Sequence, residues 1–420
     1  MDANIALATP EPFTDEEIAA ARKLRLRLAD TLPEEFDSDF FIGRWMRMYK
    51  NDEKTLENKL NELIEHRRAF GYNGENILQK CQELEFAKKT FERFGISDLK
   101  MDVFSDNVAV FVQKMEGADL KEITKVIPLS YVIHSYYLLH ECFQRVMRQK
   151  ELETGKPAAV VVVLDLTGLP LTDFINPVSN SSKLARLIVK VWSDFFSENM
   201  IHLYLMHPPG ILSLMWQVAK HIVDAKTQSQ IMFVTKTEDL HKCLKLDAIP
   251  EDFGGKRRDD SGYTDRPETC VQTPFFVKPE HYFDRAVWWK SQGFHKTPET
   301  KSVSIKSKAL HEIPLEAKEG ERILWEFTTS SDVTFEIVRL IKKSGSPASL
   351  KENVPAVGTR RDSIDEETIM PKITVTSLKV PEHGVVTALH AGEYRIRFGY
   401  PTGGWLSAKV HVFATVAPKL

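Results

Sequence analysis

AAVVVVLDLTGL, Ala158 to Leu169, is the stretch whose reading decides the fold. Its apolar run, Ala158 to Leu164, is stopped by Asp165, far short of the ~20 residues that a bilayer span requires. A strand with one wet face alternates polar and apolar residues, so an uninterrupted β-branched run predicts a strand buried on both faces, as in parallel sheets. Comparable runs lie around it: VAVFVQKM (Val108–Met115), IHLYLMH (Ile201–His207) and QIMFVT (Gln230–Thr235). Between them sit stretches with helical spacing, IPLSYVIHSYYLLHECFQRVMRQKELE (Ile127–Glu153) and SSKLARLIVKVWSDFFSEN (Ser181–Asn199). Strands alternating with helices predict a largely parallel α/β sheet. Within Ala158–Leu164, period-two alternation separates Val160, Val162 and Leu164 from Val161 and Val163, without saying which set faces what.

Working outward, Thr14 to about Leu99 has helical spacing. TDEEIAAARKLRLRL (Thr14–Leu28) opens with Thr14 and Glu17 in a capping-box arrangement. DSDFFIGRWMRMYK (Asp37–Lys50) and DEKTLENKLNELIEHRRAF (Asp52–Phe70) follow. IPEDFGG (Ile249–Gly255) ends the α/β block. The next segment, Lys256 to about Ser302, is irregular, and its aromatics Phe275, Phe276, Tyr282, Phe283, Trp288 and Trp289 predict a linker packed on a domain surface. Beyond Val303, runs such as RILWEFTTSS, VTFEIVRLI, KITVTSLKV and GEYRIRFGYP, separated by turn residues, predict an antiparallel all-β sandwich. The polar segment SGSPASLKENVPAVGTRRDSIDEETIMP (Ser344–Pro371) is expected to be a loop.

One helix has more apolar surface than a single packed face requires. PPGILSLMWQVAKHIVDAKTQSQ (Pro208–Gln230) spreads Ile211, Leu212, Leu214, Met215, Trp216, Val218, Ala219, Ile222 and Val223 over about 200°, whereas one buried stripe needs roughly 100°. Either it is wedged inside one core or its second side meets something other than water.

The net charge of −3, from 56 basic and 59 acidic residues, lacks the basic excess of a nucleic-acid binder. The cysteines, Cys81, Cys142, Cys243 and Cys270, are widely spaced, which argues against a disulfide framework or zinc site and fits a reducing compartment. The N-terminal stretch lacks the basic-then-apolar order of a secretory signal. No glycine-rich nucleotide loop and no GxSxG elbow is present. Asp165 reads better as a turn cap than as a catalytic acid. His202 and His207 differ by an odd number along one strand, and His140 and Cys142 diverge on a helix, so neither pair makes a metal site. The expectation is a non-enzyme without cofactor or metal.

Four segments together resemble the CRAL-TRIO lipid-binding family: DFFIGRWMRMYK (Asp39–Lys50), VVVLDLTGL (Val161–Leu169), FSENMIHLYLMHPP (Phe196–Pro209) and IPEDFGG. RILWEFTTSSDVTFEI and GEYRIRFGYPTGGWLSAKVHVF resemble a GOLD domain, and the pairing is similar to the supernatant protein factor and tocopherol-associated group. The resemblance implies a helical lobe over 1–75, a CRAL-TRIO domain over 76–255, a packed linker over 256–302 and a GOLD β-sandwich over 303–417. It further implies a soluble, cytoplasmic, transiently membrane-associated carrier or sensor of a phospholipid, tocopherol-like or isoprenoid ligand, with the helix from Ile211 as a mobile gate. The ligand-lining set is then Phe111, Val160, Val162, Leu164, Met200, Leu203, Leu205, Leu212, Met215, Trp216 and Ala219. Glu198 becomes the candidate headgroup contact, while Asn199 and Gln230 stand where phosphatidylinositol binders carry cations. Gly43 replaces the family's large apolar residue. The alternative is a trafficking adaptor whose GOLD domain recruits a protein partner.

Overall fold

The computed structural model describes residues 7–50, 52–96, 104–170, 172–210, 212, 216, 225–257, 275–341, 365–401 and 407–420. The chain divides into two compact units. The first comprises Met1–Ile64, Gly71–Phe283 and Leu378–Val380, and the second Glu65–Phe70, Asp284–Ser377 and Pro381–Leu420.

Helices α1 (Asp15–Arg27), α2 (Asp39–Tyr49), α3 (Glu53–Phe70), α4 (Ile77–Glu83) and α5 (Glu85–Phe94) precede the first sheet. Thr14 caps α1 as its spacing predicts: its hydroxyl accepts from the Glu17 amide, and the Glu17 carboxylate accepts from the Thr14 amide. Gly43, in the middle of α2, lowers helix propensity by about 1 kcal/mol. A Cβ there would lie 2.7 Å from Phe13 Cε1, so the Phe13 ring fills the space that a side chain would occupy. Arg44, on the same helix, is buried against Glu151, with Nη1 donating at 2.5 Å to Oε1. The same carboxylate oxygen accepts from the Ala158 amide at 3.1 Å, which ties α2 to the start of the central strand.

The sheet is mixed, in the order β1 (Phe104–Ser105), β2 (Val108–Lys114), β3 (Ala159–Asp165), β4 (Met200–Met206) and β5 (Ile231–Val234). β1 pairs antiparallel to β2, and β2 to β5 are parallel. Between β2 and β3 run α6 (Leu120–Ile123) and α7 (Leu129–Thr154); α8 (Asn180–Phe195) links β3 to β4; α9 (Ala225–Gln230) leads into β5, and α10 (Thr237–Cys243) follows it. Sequential strand order with right-handed crossovers places the β2–β3, β3–β4 and β4–β5 connections on one face. The segment Ile249–Gly255 closes the other face. A Cβ on Gly255 would come within 1.9 Å of the Ile249 carbonyl oxygen, so only glycine permits that turn.

The second unit holds two four-stranded antiparallel sheets. One has the order β10 (Asp365–Val375), β9 (Val333–Ile341), β12 (Gly392–Gly399), β7 (Leu310–Ala317); the other β11 (Glu382–Thr387), β8 (Arg322–Thr329), β13 (Ala408–Ala417), β6 (Lys301–Ile305). Rings join them: Phe327 on β8 lies 5.0 Å from Phe335 on β9 and 4.8 Å from Phe398 on β12. One expectation is corrected here. The polar segment expected as a loop ends in a strand, since Asp365 to Pro371 belong to β10. Glu367 pairs with Arg339 and Glu366 with Arg397, so charges that read as loop are neutralised across strands, and bulges around Met370 accommodate Pro371, which has no amide to donate. Of the aromatic segment, residues 258–274 lie outside the described residues. Trp289, on α11 (Arg285–Ser291), is fully buried and its Nε1 donates to Glu326, while Phe276 is 60 % exposed.

Candidate functional site

The two faces of the first sheet are covered differently. Val110, Val161, Val163, Tyr204 and Met206 pack with Leu240, Cys243, Ile249 and Phe253 in one closed cluster. Register places the opposite set in rows: Ala109, Val160 and Met200; then Phe111, Val162, Leu203 and Ile231; then Gln113, Leu164, Leu205 and Phe233. Phe111 and Val160 are fully buried, and Phe111 meets Phe143 of α7 at 5.4 Å. Toward β5 the cover thins, and Leu164, Leu203, Leu205, Ile231 and Phe233 are only half-buried. Apolar side chains left half-covered on a sheet whose other face is sealed form an apolar floor beneath the β4–β5 connection. The parity ambiguity in Ala158–Leu164 is thereby resolved by packing: the odd set belongs to the sealed side and the even set to the floor.

Met200 reaches the floor by a route that alternation does not foresee. Met200 and Leu203 differ by an odd number and would point to opposite faces of a regular strand. The register slips between the Val160–Met200 and Val161–His202 pairs, so Ile201 is an extra residue. Ile201 packs on the sealed side and Met200 stays in the row of Val160.

Of the amphipathic helix, Leu212 and Trp216 are described, both half-buried, and the Trp216 ring meets Phe233 edge-on at 5.6 Å. Met215 and Ala219 lie outside the described residues, as does most of the segment Ile211–Asp224.

At the amino-terminal ends of the strands is a cleft of about 220 Å³, lined in part by Arg44, Arg47, Glu198, His202, Lys226 and Gln230. The Glu198 carboxylate accepts from Lys226 Nζ, a partner that the sequence reading missed. Lys226 sits four positions before Gln230, one helical turn away, and that spacing was the available signal. Gln230 serves the backbone instead: its Nε2 donates to the Ser197 and Met200 carbonyls at 3.2 and 2.9 Å. Asn199 is buried, and its backbone carbonyl accepts from the Val160 amide.

At the opposite strand ends, Asp165 Oδ1 accepts from the Thr167 amide at 3.1 Å and from its hydroxyl at 2.7 Å, the turn-capping role expected of it. His207 Nδ1 lies 2.9 Å from the same oxygen. His140, on α7, is stacked on Phe196 at 4.1 Å, and burial lowers its pKa to about 3, so the ring is neutral. Among the described residues no group of three His, Cys, Asp or Glu is placed to hold a metal ion, and no helix is long and apolar enough to cross a membrane.

Residues 106–255 match the family model described as CRAL/TRIO domain. A CRAL-TRIO domain-containing protein of Caenorhabditis elegans is 27 % identical over 350 residues, 81 % of this chain and 86 % of that protein. One from Saccharomyces cerevisiae is 22 % identical over 60 % of this chain and 82 % of its own length. The crystal structure of Sfh5 aligns with 63 % of this chain and 96 % of its own at a TM-score of 0.44 and 14 % identity. The stretch that contains the half-covered apolar floor, residues 106–255, is the stretch that matches the CRAL/TRIO family model.

Proposed function

We propose that this protein is a carrier of a hydrophobic ligand, which lies on the floor formed by Phe111, Val160, Val162, Leu164, Met200, Leu203 and Leu205 beneath the helix of Pro208–Gln230. CRAL/TRIO domains bind hydrophobic lipid ligands. The observation that carries the reading is the asymmetry of the sheet, one apolar face sealed and the other half-open. Leu212, Met215, Trp216 and Ala219 supply the roof on this reading, and the Trp216 contact with Phe233 supports it. Moving an acyl chain from bilayer to water costs about 0.8 kcal/mol per CH₂, so a sixteen-carbon chain costs about 12 kcal/mol and release into water is negligible. Exchange therefore takes place while the protein is docked on a membrane, where lipid covers the second apolar side of the opened gate helix. Glu198, paired with Lys226, bounds the polar end. The β-layers of the second unit act as a GOLD-like module on the same reading, and the protein works in the cytoplasm.

Native mass spectrometry with lipid extraction, combined with a vesicle-to-vesicle transfer assay, tests this reading. Bound lipid and transfer are expected. Purified protein that holds no lipid and moves none between vesicles overturns it. Replacing Met215 and Trp216 by Asp abolishes transfer without unfolding the chain if the helix is the gate, and transfer that survives overturns that assignment.

A further inference from the structure

Cys81 and Cys142 are separated by 61 positions, and their spacing signals nothing. The fold brings them together. Cys81 lies on α4, Cys142 on α7, and their sulfurs are 3.8 Å apart. Cys81 is partly exposed and donates to the Ile77 carbonyl at 3.3 Å, whereas Cys142 is fully buried. Cys243 lies elsewhere, in the sealed cluster behind the sheet. A disulfide has an S–S length of about 2.05 Å, so the two sulfurs need to approach by under about 2 Å, within the reach of side-chain rotation and a slight helix shift.

We propose that Cys81 and Cys142 are an oxidisable dithiol, converted by peroxide into a disulfide that staples α4 to α7. Cys81, the partly exposed member of the pair, attacks the peroxide oxygen; the O–O bond breaks, water leaves and Cys81 becomes a sulfenic acid. Cys142 then attacks the Cys81 sulfur, and its thiol proton leaves with the displaced hydroxide as a second water. Two thiols and one hydrogen peroxide thus yield one disulfide and two waters, with two electrons passed to the oxidant. The hydrogen bond to Cys81, followed by burial, pushes the Cys142 thiol up, so it stays protonated until its neighbour has reacted. The arrangement is that of a partly exposed cysteine backed by a buried, resolving one.

The test is peptide mapping of the full chain after treatment with hydrogen peroxide, alkylation and digestion, with and without dithiothreitol. The expected result is a Cys81–Cys142 linked peptide that is short of two hydrogens and disappears on reduction, while Cys243 is recovered alkylated. Recovery of both cysteines alkylated, or pairing of Cys81 with Cys270 or with a second chain, overturns the proposal. In a Cys142→Ala variant the oxidation stops at a Cys81 sulfenic acid that dimedone traps. If that variant does not fold, the wild-type map alone decides. Oxidation also raises the thermal midpoint of the wild type, through the closed loop, and leaves that of Cys81→Ser unchanged.

Discussion

The Arg44–Glu151 pair offers a quantitative test of how the helices before the sheet are held. Its side chains are 5 % and 1 % exposed, and its 2.5 Å contact is backed by bonds to both backbone polar groups of Ala158, with Arg44 Nη1 donating to the carbonyl and Glu151 Oε1 accepting from the amide. Arg44→Met keeps a long apolar side chain and removes the charge, which leaves a buried carboxylate with the Ala158 amide as its remaining donor. Removing one partner of a buried ion pair costs about 3–5 kcal/mol, most of it the penalty of the stranded charge. Adding Glu151→Leu removes that charge, and buried pairs replaced by apolar residues of similar volume are often neutral or more stable. The double variant is therefore expected to recover most of the loss. Urea unfolding followed by circular dichroism, fitted as two transitions because the chain has two units, reads the effect in the first unit. A loss below about 1 kcal/mol for Arg44→Met, or a double variant that costs the sum of the singles, refutes the reasoning.

Two further outcomes follow from the site and its surroundings. Leu205→Asp places a carboxylate on the half-buried floor, where covering it with an acyl chain costs several kcal/mol, so lipid retention in native mass spectrometry should fall more than about 100-fold. Val385→Asp, on an exposed strand position of the second unit, should leave retention unchanged. Burial holds His140 neutral, with its pKa lowered from 6.5 to about 3. The unfolded chain takes up that proton first, so the stabilisation is complete above pH 6.5 and is lost as pH falls, by about 1.4 kcal/mol per unit. His140→Phe should flatten that acid limb of a stability–pH curve by this amount, and an unchanged slope contradicts a neutral buried ring.

Much of the α/β unit is legible along the chain because its strands are apolar on both faces and its helices keep one periodicity. The runs at Val108, Ala158, Ile201 and Ile231 all became strands, and Thr14 with Glu17 formed the cap that their spacing foretold. Charge misled the reading at Asp365–Pro371, since Glu366 and Glu367 look like loop residues until Arg397 and Arg339 stand across from them. Met200 is a related case: strict alternation separates it from Leu203, and a one-residue slip at Ile201 brings both to the floor. Lys226 passed unnoticed because a lysine on a polar helix end is ordinary until Glu198 faces it.

Local pattern therefore settles the central strands of the first sheet, their parallel pairing and the motifs within residues 106–255 that match the CRAL/TRIO family model, because each depends on burial period and turn chemistry within a few residues. It cannot settle which face of Ala158–Leu164 is sealed, since both sets are equally apolar and only the packing of Leu240, Ile249 and Phe253 on one side distinguishes them. Nor can it bring Cys81 to Cys142, or Arg44 to Glu151, whose partnerships arise from helix packing between positions far apart in the chain. Those contacts, which depend on distance in space rather than order along the backbone, belong to the tertiary structure alone.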